Sequence, residues 1–175
     1  LARGGGEVIH IIIGGALSGK TTYVYKKFIE GNYSIVKHLE DVPCTLPYNH
    51  IKKTIVIGDY LRKIRCCGVD QLGRDAKRVH EKVLNVIGVY GYKEDTLVVA
   101  EGTLLHRDAF MRNLVGAPLK LFYLAQPGEV IQERVKALKI KWTGIVTMTH
   151  RQARDCFMKW NKEFEYEIID QHPIA

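Results

Sequence analysis

Val8-Ile9-His10-Ile11-Ile12-Ile13-Gly14-Gly15-Ala16-Leu17-Ser18-Gly19-Lys20-Thr21-Thr22 is the stretch whose reading decides the fold. The β-branched run Val8 to Ile13 reads as a strand buried on both faces, as in a parallel sheet. Gly14 to Thr21 then satisfies GxxxxGK[ST] at every fixed position. Thr21 to Glu30 has helical character and stops at Gly31-Asn32. Strand, glycine-rich turn and helix in this order are the context the motif requires. Its glycines let successive N–H groups turn inward around an anion, and the helix start adds a favourable dipole. Gly15, Ala16, Leu17, Ser18, Gly19, Lys20, Thr21 and Thr22 are therefore the expected cradle for a nucleotide's phosphates. Lys20 is expected to reach the β- and γ-phosphates, and the Thr21 hydroxyl to ligate Mg²⁺.

Outward from this stretch, apolar strands alternate with helical segments. Tyr33–His38 alternates weakly and Thr54–Ile57 reads as a buried strand, as do Thr96–Ala100 and Lys120–Ala125. Tyr166–Ile169 reads as a last strand. Helices are expected over Arg74–Val89, with Val79, Val83, Leu84 and Ile87 on one side, and over Asp108–Leu114, Glu129–Leu138 and Thr149–Phe164, the last capped by Thr149. Residues 39–50, with two prolines, read as a loop, and 139–148 as a basic loop. The alternation implies an α/β fold, a three-layer sandwich with a mostly parallel central sheet and flanking helices.

In such sheets ligands bind at the carboxyl ends of the strands, and two of these ends carry acids. Glu101 follows Thr96–Ala100 and is placed to hold Mg²⁺, partly through water, or to act as a base. Gly102 after it allows a close approach to the backbone. Asp59 follows Thr54–Gly58, where a carboxylate can take the proton of an attacking hydroxyl. Arg62 lies three residues on, placed to bind substrate or orient the aspartate, and Tyr60 is placed to stack on a base or to pack in the core. Asp70, in the loop Cys66-Cys67-Gly68-Val69-Asp70, is a rival base. Arg134 leads a basic segment running to Lys141, with Lys139 next and Arg151 and Arg154 beyond, suited to neutralising charge on a transferring phosphate.

Composition bounds the rest. The 175 residues suit one domain, over 8–175, and 46% hydrophobic content excludes disorder as the overall class. No apolar run approaches the roughly 18–20 residues of a membrane-spanning helix. Residues 1–7 read as a disordered or trimmed start rather than a signal peptide. Cys44, Cys66, Cys67 and Cys156 fit no CxxC spacing and read as reduced thiols of a cytoplasmic protein. The seven histidines show no metal-ligand spacing, so no structural metal is expected. The net charge of +7 favours polyanionic partners, and its short basic clusters, at Lys52-Lys53, Arg62-Lys63-Arg65, Lys77-Arg78 and Arg134–Lys141, read as surface patches.

The order of glycine loop, acid, acid-glycine and basic lid (134–148) resembles the P-loop kinase superfamily over about residues 8–170. Ile57-Gly58-Asp59-Tyr60-Leu61-Arg62 is similar to the segment of polynucleotide kinases that holds an Asp base and an Arg three residues on. Gly58-Asp59-Tyr60, Gly68-Val69-Asp70 and Glu101-Gly102 together resemble the 5-hydroxymethyluracil DNA kinases of phages with hypermodified DNA. The resemblance implies ATP and Mg²⁺ as cofactors, a hydroxymethyl group within DNA as acceptor, and the host cytoplasm as compartment. A kinase for a free nucleoside, nucleotide or other small metabolite uses the same parts without the basic patches, and a nucleotide-binding switch uses the glycine loop alone.

Overall fold

Strand β1 (Ile9–Ile13) sits inside a seven-stranded sheet with strand order β2-β3-β4-β5-β1-β6-β7. The computed structural model describes residues 8–48, 53–62, 68–141 and 144–170. β4 (Lys53–Ile57), β5 (Thr96–Glu101), β1, β6 (Leu119–Ala125) and β7 (Glu165–Asp170) all run parallel. β2 (Ser34–Leu39) and β3 (Val42–Pro47) form an antiparallel hairpin beside β4. The fold is thus α/β with a mostly parallel sheet. The N-terminal 1–7, Lys52, Lys63, Arg65, Cys66 and Cys67 lie outside the described residues.

Helices cover both faces of the sheet, compatible with three layers. Period-two alternation divides the strand residues. Ile9, Ile11, Ile13, Ile55, Ile57, Val98, Ala100, Leu119 and Leu121 face α2 (Ala76–Tyr90), α3 (Asp108–Met111) and α5 (Gly144–Trp160). Ile12, Val56, Leu97, Val99, Phe122 and Leu124 face α1 (Lys20–Val24), which continues as a π-helical turn over Tyr25–Ile29. Ile131 and Val135 of α4 (Gly128–Ala137) join Val146 of α5 and Leu17 of the glycine loop in a third, small cluster. None of the described helices is long and apolar enough to cross a membrane.

The stretch 39–50, expected as a loop, contains β3. Its prolines mislead because of where they fall in the ladder. Tyr48 N–H donates to Tyr33 O at 2.8 Å, and the register pairs Pro47 with Ser34 and Pro43 with His38. Bonded and non-bonded pairs alternate, so both prolines occupy positions where β2 asks for no donor. Glu40 (φ 51) and Asp41 (φ 59) make the two-residue left-handed turn that suits hairpins. The basic loop 139–148 is also revised, since α5 starts at Gly144. Thr149 is therefore not a cap. It lies inside the helix, buried, with its hydroxyl bonded back to Val146 O at 2.9 Å.

Candidate functional site

Gly14–Thr21 links β1 to α1 at the carboxyl edge of the parallel strands. Gly19, the residue before α1, has φ 93, a conformation that costs only glycine nothing. Leu17 shares the left-handed region (φ 63) and bears the cost of a Cβ there, about 1–2 kcal/mol. Alternation of right- and left-handed residues turns peptide N–H groups toward one concave side. Lys20 is buried, and its ammonium donates to Gly14 O and Gly15 O, both at 2.8 Å, and to Ser18 Oγ at 3.5 Å. Its charge is thereby folded over the loop itself.

Glu101 ends β5 opposite Ile12 of β1. It shares the parity of Leu97 and Val99 and so points to the α1 face, where Thr21 opens the first turn. Thr21 Oγ1 donates to Glu101 Oε1 at 2.9 Å, and Tyr60 Oη donates to the same oxygen at 2.7 Å. Burial raises the carboxyl pKa of Glu101; the Lys20 ammonium and the two hydroxyl donors oppose that shift, and Asp70 adds to it. A Cβ on Gly68 would come within 2.2 Å of Glu101 Oε1, so only glycine fits there. Of the two placements open to Tyr60, at a base or in the core, the structure shows the core: it is buried at 3% exposure among Ile12, Val24 and Val56, and its polar end serves Glu101.

Asp59 lies just past β4. Its Oδ1 accepts from Leu61 N at 3.1 Å and its Oδ2 pairs with Arg62 Nε at 2.9 Å. The aspartate is mostly buried while the arginine is exposed, so the expected Asp59–Arg62 pair forms across a tight turn rather than along a helix. Asp70 has a different position. Its carboxylate accepts from Thr103 N at 2.8 Å, Thr103 Oγ1 at 3.0 Å and Leu104 N at 3.0 Å. Gly102, with φ 155 and ψ 161, makes this possible, since a Cβ there would meet Val69 Cγ2 at 2.5 Å and Asp70 Oδ1 at 2.9 Å. Asp70 ties the 3-10 turn Val69–Leu72 to the segment after β5 and is spent as a cap. Asp70→Ala is expected to destabilise the fold by about 2–3 kcal/mol, because it leaves three donors unmatched. Chemical denaturation checks this, and unchanged stability would free Asp70 for another role.

Side chains from four other places hold the loop's backbone. Gly14 N–H donates to His106 Nε2 at 3.1 Å. Ala16 N–H donates to Thr149 Oγ1 at 2.9 Å, and His150 Nε2 reaches Ala16 O at 2.7 Å. Arg134 Nη1 donates to Leu17 O at 2.5 Å, and Gln126 Nε2 to Ser18 O at 3.2 Å. His106 is held well below its ordinary pKa, first by burial and then by Lys20, which keeps Nε2 free to accept. Arg134 thus contacts the backbone of the loop. Arg151, Arg154 and Lys139 are exposed, and Arg154 lies 3.8 Å from Asp155.

The structure therefore brings Lys20, Thr21, Glu101, Tyr60 and Arg134 together and sets Asp59 with Arg62 at the end of the neighbouring strand. His106, Gln126 and His150 were not legible as loop partners. The one trace is Gly15, a glycine the motif does not require, whose missing side chain admits the His150 ring: a Cβ would lie 2.2 Å from His150 Cγ. The chain matches no family model and no curated protein sequence.

Proposed function

We propose that this chain is an ATP- and Mg²⁺-dependent kinase of the P-loop type, passing the γ-phosphate to an alcohol. We further propose that the acceptor is a hydroxyl on DNA, the hydroxymethyl group of 5-hydroxymethyluracil. The observation that carries the kinase reading is the 2.9 Å contact between Thr21 and Glu101 beside the Lys20 ammonium. A hydroxyl and a carboxylate are hard oxygen donors, and Mg²⁺ takes one or two such protein ligands and completes its shell with phosphate and water. When bound, the ion supplies charge neutralisation at the phosphate oxygens. Thr21, with its proton committed to Glu101, would offer such an ion a lone pair, and Glu101 would hold it directly or through water.

Lys20 exchanges two carbonyl oxygens for phosphate oxygens when the nucleotide enters, a stronger, charge-assisted bond. Asp59, oriented by Arg62, accepts the proton of the acceptor hydroxyl as its oxygen bonds to the γ-phosphorus and the bond to the leaving ADP breaks. Arg134, already against the loop, adds positive charge as the phosphoryl group moves. Asp59 is favoured over Asp70 because the latter's carboxylate is committed to Thr103 and Leu104. The DNA acceptor is supported by the net charge of +7 and by exposed Lys136, Lys139, Lys141 and Arg151 around the α4–α5 link. A base inside a duplex has to be flipped out to be reached.

The test is transfer of γ-³²P from ATP to duplex DNA containing 5-hydroxymethyluracil, to unmodified DNA and to free nucleosides and nucleotides. Label on the modified DNA supports both parts. Label on a monomer alone overturns the DNA acceptor, and release only as inorganic phosphate overturns the kinase. Asp59→Asn is expected to lower kcat by about 10²–10⁴-fold with little change in KM for ATP.

A further inference from the structure

His150 lies where no loop motif asks for a residue. Its ring covers the backbone of Gly15, and its Nε2 sits 2.7 Å from Ala16 O, with the N–H donating to the carbonyl. Thr149, one residue earlier on α5, takes the Ala16 N–H. One peptide unit on each side of Ala16 is thus gripped by a single helical turn. The Lys20 ammonium sits on the same part of the loop, 2.8 Å from Gly15 O. A lysine in that position is the group expected to meet the β- and γ-phosphates. His150 therefore stands beside the part of the loop that the Lys20 ammonium occupies.

We propose that His150 is a positioning residue that reads the charge on the loop: it is neutral in the free protein, beside the Lys20 ammonium, and it takes up a proton when a nucleoside triphosphate brings its terminal phosphate. This rests on the nucleotide-binding reading above and goes beyond it by linking α5 to occupancy of the site. The charged or titratable groups facing His150 are Lys20 from α1 and His106 from the segment after β5. Arg134 of α4 meets the loop one residue further on, at Leu17, and Arg151 follows on α5 itself. All of these are basic. In the free protein, burial lowers the His150 pKa, the bond to Ala16 raises it, and Lys20 lowers it further. His106 is buried on all sides and stays neutral, its Nε2 engaged by Gly14.

A bound polyphosphate reverses the sign of the local field. It neutralises Lys20 and attracts a second positive charge, so the His150 pKa rises on binding. Affinity for the triphosphate then increases as pH falls through the bound-state pKa, and levels off below the free-state pKa. A proton on Nδ1 leaves the Nε2–H bond to Ala16 in place, so the helix stays registered on the loop while the ring becomes cationic.

Calorimetric titration with the β,γ-imido analogue of ATP and excess Mg²⁺, near pH 6.5 in buffers of different ionisation enthalpy, measures the proton count directly. The wild-type protein is expected to take up a net fraction of a proton that is absent in His150→Gln, whose amide N–H keeps the bond to Ala16. The analogue's own ionisation is common to both proteins and cancels in the difference. In the wild-type protein alone, the His150 C2–H resonance is expected to titrate at lower pH than a free histidine and to move to higher pH with the analogue. Equal proton uptake in both proteins, or a His150 titration that the analogue does not move, overturns the inference while the nucleotide site stands. Absence of any binding to the wild type overturns the nucleotide reading and the inference with it.

Discussion

Lys20→Met is expected to slow phosphoryl transfer by about 10³-fold or more, roughly 4 kcal/mol of lost transition-state stabilisation. The size follows from the setting. The ammonium is 7% exposed and has carbonyl and hydroxyl acceptors around it, so water screens it little. Any anion entering the loop meets a positive charge held close to the loop backbone, which reaches it by a swing away from Gly14 O and Gly15 O. Methionine keeps the stem and its packing but brings no charge. The fold is expected to lose about 1–2 kcal/mol from the two carbonyls left without this donor, and more from the buried Glu101 carboxylate, which loses the Lys20 attraction. The loop retains His106, Gln126, Arg134, Thr149 and His150 as partners. Single-turnover transfer and thermal unfolding on the same preparation separate the two effects. A folded variant with an undiminished rate would refute the role given to Lys20.

That the loop was legible at all has a local cause. Strand, turn and helix are contiguous, and each position of the motif answers to a backbone or phosphate requirement within eight residues. The central strands were legible for a similar reason. β-branched runs such as Ile11-Ile12-Ile13 and Val98-Val99 are buried on both faces and carry no competing pattern. β3 was not legible, because proline argues against a strand unless the register is known. Whether Pro43 and Pro47 face a required donor depends on their pairing with β2, which is set by the turn at Glu40-Asp41. The start of α5 was missed because basic Lys139 and Lys141 outweighed the apolar Ile145 and Val146 just beyond.

Site residues divide in the same way. Glu101 was singled out from its strand end, and its side of the sheet follows from period two. The contact of Asp59 with Arg62 was legible because their spacing is short. The different surroundings of Asp59 and Asp70 needed coordinates, because they turn on which backbone amides each carboxylate meets, and Thr103 is 33 residues from Asp70. His106 and His150 meet the loop across 92 and 134 residues. No composition or periodicity encodes such contacts. Only the surplus glycine at position 15 carries a trace of one.

Glu101→Gln is expected to move stability and activity in opposite directions. The folded environment raises the Glu101 pKa above its unfolded value, mainly by burial. The folded state therefore binds this proton more tightly than the unfolded state, and stability falls as pH rises from the unfolded pKa through the folded one. The ionised form of this carboxylate is disfavoured by the fold relative to the protonated form. Glutamine keeps an oxygen to accept from Thr21 and Tyr60 and carries no charge to desolvate. A gain of about 1 kcal/mol is expected, as for other functional sites relieved of a strained group. The acid-side rise in stability due to this residue should vanish with it. The gain is bounded because Lys20 loses the attraction of this carboxylate, the main influence opposing its raised pKa. Mg²⁺-dependent transfer is expected to fall by about 10²-fold or more, since a neutral amide cannot balance the ion's charge. Unfolding midpoints at several pH values, with transfer rates across Mg²⁺ concentrations, test both halves. A variant less stable than wild type would mean that the Lys20 attraction outweighs burial and that Glu101 holds the loop together. A more stable and inactive variant would mean that the carboxylate is kept at this strand end for its charge, against the preference of the fold around it.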